Sequence, residues 1–81
     1  MNIKEFILNE LQKNYAINDV ENLEELNFVE EGYITSLGLI QFVVVIEEKY
    51  DIRFTEEEIM STDFQVIGNL VELIKRKIAD K

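Results

Sequence analysis

Residues Leu37 to Tyr50 read LGLIQFVVVIEEKY, and the run FVVVI at their centre, Phe42 to Ile46, has the β-branched and aromatic content of a buried strand. Length decides against the strand. About 14 residues with no internal Pro or turn dipeptide, running on into EEKY, exceed a typical strand and predict a buried central helix. On that helix Leu37, Ile40, Val44 and Glu47 share one face, and Leu39, Phe42, Val43, Ile46 and Tyr50 cover most of the others. A helix apolar on nearly all sides packs against several neighbours, or against something that is not protein.

Upstream, Ile3, Phe6, Ile7 and Leu11 follow the i, i+3, i+4 spacing of one helical face and predict a first helix over about residues 3–14. From Tyr15 to Thr35 the periodicity breaks. Asn and Asp favour turns there, and Leu23, Leu26, Phe28 and Ile34 are spaced too irregularly for one long helix. The expectation is a long loop pinned to the core by those four residues; a short helical turn near Asn22 to Leu26 is the alternative that would shorten it. A loop of about 20 residues in a small domain is more often functional than not. Downstream, Thr55 and Glu58 make a T-x-x-E capping box ahead of a short helix over about Glu56 to Met60. A further start signal near Thr62 to Gln65 precedes Ile67, Leu70, Val71, Ile74 and Ile78 at helical spacing, with Lys75, Arg76 and Lys77 in the last turns, where they complement the helix dipole. Gly68 inside this final helix costs about 1 kcal/mol relative to Ala, which implies a close contact or a later start. The fold class is all-α: a small bundle of three long helices and one short one.

The chain has 81 residues, enough for one small core, so residues 1–81 are read as a single domain. It contains no cysteine and no histidine, so it offers no disulfide, no thiolate or imidazole metal site, and no Ser-His-Asp or Cys-His catalysis. No signal peptide or membrane-length apolar run is visible, and a cytoplasmic location is expected. The net charge of −9 argues against nucleic acid as a partner. No Lys or Arg occurs between Asn14 and Glu48, so a basic protein surface would be steered to the middle of the chain. Solubility alone also accounts for that charge. The three glycines are too scattered for a phosphate loop, and without a D-x-D-x-D-G loop the carboxylates read as solvated faces rather than a metal site.

Ser36 and Ser61 are the only serines. Both stand at predicted helix starts, and capping suffices to explain Ser61. At Ser36 the preceding Thr35 is itself a competent cap. One hydroxyl can satisfy the helix amides while the other stays free at the positive end of the dipole, a position that stabilises a phosphate ester.

The run FVEEGYITSLGLIQFVVVIEEKYDIRF, Phe28 to Phe54, resembles the core of the acyl carrier and peptidyl carrier protein family: a loop ending in a small turn, a serine followed by Leu, an apolar helix, a Glu-Glu pair with an aromatic, and a β-like DI tail. The resemblance extends more weakly over the whole chain in order. It implies a four-helix bundle of acyl-carrier-protein type, a carrier and not an enzyme, with phosphopantetheine from coenzyme A joined to Ser36 through a phosphodiester. The terminal thiol of that arm would hold an acyl or aminoacyl thioester, supplying the chemistry a chain without Cys or His lacks. Implied partners are a phosphopantetheinyl transferase, an acyl- or aminoacyl-loading ligase, and downstream transferases or synthases of fatty acid, polyketide or nonribosomal peptide biosynthesis, acting on a monomer. EEG before the motif is similar to stand-alone aminoacyl carriers such as D-alanyl carrier proteins, a cue that does not fix the cargo.

Ile40, Val43 and Ile46 are candidates for an acyl-sheltering pocket, with plain core packing as the alternative. The family usually has Asp before the serine, where this chain has Thr35, and often has acidic residues two and five positions after it, where this chain has Gly38 and Gln41. With charge reduced there, partners are expected to read Thr35, Leu37, Gln41, Val44, Glu47, Glu48, Glu56 and Glu57. The rival reading is a carrier-fold domain that is not modified and serves as an acidic docking module.

Overall fold

The computed structural model describes residues 2–15, 17 and 23–81, and within them the regular structure is helical. α1 spans Ile3–Tyr15, α2 Ser36–Tyr50, α3 Glu56–Ile59, α4 Thr62–Gln65 and α5 Ile67–Ala79. A 3-10 turn at Leu23–Glu25 interrupts the long first connection. The FVVVI run is helix throughout, as its length predicts. Of the expected turn near Asn22 to Leu26, Asn22 lies outside the described residues, as do 16 and 18–21 of the expected loop.

The starts of α1 to α4 are each explained by a neighbouring side chain, whereas that of α5 is not. Asn2 Oδ1 accepts the Glu5 amide at 2.8 Å ahead of α1. The predicted capping box is present, with Thr55 Oγ1 accepting the Glu58 amide at 3.1 Å and Glu58 Oε1 accepting the Thr55 amide at 2.7 Å. Ser61 caps α4 by accepting the Asp63 amide and donates its own hydrogen to the Glu58 carbonyl at 2.8 Å. The expected third helix ends one residue early, at Ile59, and the start signal at 62–65 forms its own turn of helix rather than opening the final one. α5 begins only at Ile67, because Val66 is extended and hydrogen bonds join Leu26–Phe28 to Gln65–Ile67 in an isolated antiparallel bridge, Asn27 opposite Val66. Gly68 meets both of its expected explanations. It is the second residue of α5, and a methyl group on it would stand 2.9 Å from the Glu24 carbonyl oxygen.

The core runs through all three long helices. Ile7 and Leu11 of α1, Leu39, Phe42, Val43 and Ile46 of α2, and Ile67, Leu70, Val71 and Ile74 of α5 are buried together with Phe28, Ile34, Ile52, Phe54 and Phe64. Of the four expected loop anchors, Phe28 and Ile34 are buried and Leu23 and Leu26 pack partly against the core. Ile78, predicted on the buried stripe of the last helix, is exposed at its margin. Phe28, Phe42 and Phe64 form a triangle of edge-to-face rings with centroids 5.8–6.3 Å apart. Phe54 extends the triangle at one end, 5.0 Å from Phe64, and Tyr15 at the other, 6.2 Å from Phe42. Each such pair contributes about 0.5–1.5 kcal/mol beyond the area it buries. The radius of gyration, 11.7 Å, is that of a chain folded to ordinary protein density.

Candidate functional site

The site is built at the N-terminus of α2. Thr35 is extended (φ −81°, ψ 169°), and its Oγ1 accepts the Gly38 amide at 3.0 Å while its carbonyl accepts the Leu39 amide at 2.8 Å. Thr35 is therefore the cap, and Ser36 is the first helical residue. Ser36 is exposed, and among the described residues its hydroxyl has no hydrogen-bond partner. The amides of Ser36 and Leu37 have no intrahelical acceptor, and the helix dipole puts partial positive charge at the same place. A singly charged phosphodiester on Ser36 Oγ suits this end of the helix: two free donors, a favourable dipole and open solvent.

Behind Ser36 the first turn is held from inside. Tyr15 donates its phenolic hydrogen to the Gly38 carbonyl at 3.1 Å. Burial, followed by the nearby Glu10 carboxylate, pushes the Tyr15 phenol above its ordinary value, so the donor stays protonated at neutral pH. Gly38 is itself buried, and a methyl group there would lie 3.1 Å from both Ile34 Cγ1 and Tyr15 Cε1. This corrects the reading of Gly38 as a lost partner-facing charge. The position points inward, where even a Cβ would crowd Tyr15 and Ile34. Tyr15 was not identifiable from sequence, since no local pattern links it to a carbonyl 23 residues away.

The expected partner face is mostly one surface of α2. Leu37 (66% exposed), Ile40 (62%) and Val44 (45%) form an apolar stripe at i, i+3 and i+7, with Gln41 and Glu48 exposed beside it. Glu56 and Glu57 are exposed at the start of α3. Two expected members are occupied by the fold. Thr35 spends its hydroxyl oxygen on the cap, and Glu47 Oε2 accepts the Phe54 amide at 2.9 Å with Arg53 3.8 Å from its other oxygen. The Glu47 side chain is only 15% exposed and braces the turn after α2. A cavity of about 240 Å³ lies beside it, lined by Val44, Glu47, Glu48, Asp51, Ile52 and Arg53. The expected acyl-pocket residues are not brought together: Val43 and Ile46 are packed in the core, whereas Ile40 faces solvent. Their i, i+3, i+6 spacing turns each only about 60° from the last, and it is packing that covers Val43 and Ile46 while leaving Ile40 at the solvent edge.

Among the described residues no group of three or more Asp or Glu side chains is arranged to hold a metal ion, and no helix is long and apolar enough to cross a membrane.

Comparison with known proteins agrees with this geometry. The family model described as "Phosphopantetheine attachment site" matches residues 5–74. A D-alanyl carrier protein of Enterococcus faecalis is 32% identical over 77 residues, covering 90% of this chain and 99% of the relative. An acyl carrier protein of Wolinella succinogenes is 32% identical over 73 residues, covering 90% of this chain and 88% of the relative. No solved structure gives a significant match. With the match running from α1 into α5 and both relatives spanned almost end to end, the chain belongs to the acyl and peptidyl carrier protein family, defined by its phosphopantetheine attachment site, and is a carrier rather than an enzyme.

Proposed function

We propose that the chain is a stand-alone, single-domain carrier that bears phosphopantetheine on Ser36 and presents an acyl or aminoacyl thioester to partner enzymes in the cytoplasm. The observation that carries this is the division of labour between adjacent hydroxyls: Thr35 caps α2, and the exposed Ser36 hydroxyl is left with no described partner. When bound, the arm supplies a thiol that this sequence lacks. The protein's own residues fix where that arm starts. Tyr15 and Thr35 hold the first turn of α2, the free amides of that turn face the ester, and Leu37, Ile40 and Val44 offer apolar contact to whatever docks there. Exposed Gln41, Glu48, Glu56 and Glu57 flank this contact, and a partner with an apolar centre and basic margins complements them. The names of the two relatives span the two cargo classes, alanyl and acyl, and both fit a thioester carrier.

The test is intact mass after incubation with coenzyme A and a broad-specificity phosphopantetheinyl transferase. Wild type gains one phosphopantetheine and Ser36→Ala gains none. No addition to folded wild type, or equal addition to both, refutes the assignment. The first of those outcomes favours an unmodified acidic docking module, a reading that has Thr35 in place of the usual Asp in its favour.

A further inference from the structure

We propose that Tyr15 is a positioning residue for transfer at Ser36: its hydroxyl, acting through the Gly38 carbonyl, fastens the first turn of α2 to the end of α1 and so fixes where the Ser36 oxygen stands when an enzyme acts on it. The proposal rests on attachment at Ser36 and adds to it a residue that acts on the serine only through the backbone.

The local sequence holds this turn weakly. Its cap is a threonine, uncharged and less effective than Asp or Ser. No acidic side chain stands in the first turn to meet the positive end of the dipole. Gly38, the third residue of the helix, is the poorest helix former after proline, and Leu37 is 66% exposed and adds little packing. Ser36 itself is exposed, with no hydrogen-bond partner for its hydroxyl among the described residues, so its oxygen stands wherever the backbone of the turn puts it. Helix ends fray unless something holds them.

Tyr15 supplies the hold from another element. Its hydroxyl donates to the Gly38 carbonyl at 3.1 Å across 23 residues of chain. A carbonyl oxygen has two lone pairs, so the phenol bonds there without displacing a helix amide. The Tyr15 ring also stands edge-to-face against Phe42, 6.2 Å between centroids, and Phe42 is buried against Phe28 and Phe64. Tyr15 thus grips α2 at two points four residues apart, one of them anchored in the core. Gly38 belongs to the same device. A Cβ there would stand 3.1 Å from Tyr15 Cε1 and crowd the ring, so the residue that weakens the turn locally is also the one that lets the phenol approach.

Attachment makes Ser36 Oγ attack a phosphorus of the coenzyme A pyrophosphate. The Oγ–P bond forms as the P–O bond to adenosine bisphosphate breaks, and the hydroxyl proton passes to a base of the transferase. The carrier's share in that step is the position of Oγ, and a misplacement of about 1 Å costs such a reaction about a hundredfold. Loss of one neutral hydrogen bond, which lets the turn fray part of the time, costs about two- to tenfold.

The experiment compares wild type with Tyr15→Phe, which removes the hydroxyl and keeps the ring against Phe42, and with Ile74→Val, a fully buried position in α5 that controls for a similar loss of overall stability. With a broad-specificity phosphopantetheinyl transferase and coenzyme A, at a temperature where thermal melts show every variant folded, kcat and the KM for the carrier are measured together with hydrogen exchange at the Gly38 and Leu39 amides. In Tyr15→Phe, kcat falls about two- to tenfold, KM stays within about twofold of wild type, and both amides exchange faster by a similar factor. In Ile74→Val all of these stay at wild-type values. An unchanged kcat in Tyr15→Phe overturns the proposal. A rise in KM alone also overturns it, because it makes Tyr15 part of a docking surface, and equal losses in Ile74→Val overturn it by reducing the effect to overall stability. Either way phosphopantetheine is still added and attachment at Ser36 stands. No addition to folded wild type, read by intact mass, refutes attachment and this proposal with it.

Discussion

The two serines of this chain stand at the starts of two different helices, α2 and α4, and end in opposite chemical states. Ser61 is consumed by the fold, accepting the Asp63 amide and donating to the Glu58 carbonyl. Ser36 is one residue inside its helix, with Thr35 holding the capping position and its own hydroxyl facing solvent. The residue type is the same; the neighbour differs. Ser61 follows Met60, which has no hydroxyl to lend, whereas Ser36 follows a threonine. A serine becomes available for modification when something else takes over the hydrogen bond that the helix start requires.

The strongest way to break this contrast is to exchange alanine at the two sites. Ser36→Ala abolishes phosphopantetheine addition and leaves the thermal midpoint close to wild type, while Ser61→Ala keeps addition and lowers stability; intact mass and thermal melts separate the two. Next in size is Phe64→Ala. Its ring is fully buried against Phe28, Phe42 and Phe54, so urea denaturation shows a loss of about 3–5 kcal/mol. A transferase that reads charge beside the serine modifies Thr35→Asp with kcat/KM roughly tenfold above wild type, an effect that shrinks with added salt. Removing the caps is smaller again: Thr35→Ala and Ser61→Ala each cost about 1 kcal/mol of unfolding free energy, and Thr35→Ser costs less.

The smallest expected effect is one of pH. Glu58 is pushed up by burial, but its hydrogen bonds from Thr55 and the Lys77 ammonium at 2.9 Å outweigh that, and its carboxyl ends below the ordinary carboxylate value. A group whose folded pKa is depressed stabilises the fold above its unfolded pKa and loses that contribution as pH falls through the folded value. Stability supplied by this clasp is therefore complete at neutral pH and lost on acidification below about 4.5. Glu58→Gln lowers the neutral-pH midpoint and flattens this acid limb in melts recorded from pH 7 to pH 3. Tyr50 and Tyr15, both pushed up by burial, titrate only in alkali and do not enter that window.

Much of this was legible in sequence because it depends on near neighbours. Helical period places α1 and α2, the T-x-x-E box gives the start of α3, and adjacent hydroxyls at 35 and 36 announce that one of them is spare. What was misread depends on distant ones. Gly38 looks like a missing surface charge until Tyr15, 23 residues away, is found against it. Glu47 looks like a docking carboxylate until the turn after α2 brings the Phe54 amide onto it. Ile40 shares its apolarity with Val43 and Ile46, and only packing separates them. The late start of α5 has the same origin, since the bridge that holds Val66 extended is made with Asn27.

By itself the sequence determined the helical class of the fold, the lack of any thiol or imidazole in these residues, and the cap that sets Ser36 free. Each of these follows from residue type and spacing within about one helical turn, which fixes local backbone geometry and the nearest hydrogen bonds. Only the tertiary structure decided which apolar side chains face each other, which carboxylate is spent on a backbone amide, and that Tyr15 packs against Gly38. Those outcomes depend on side chains far apart in the chain competing for one interior volume, and close packing, not local propensity, settles that competition.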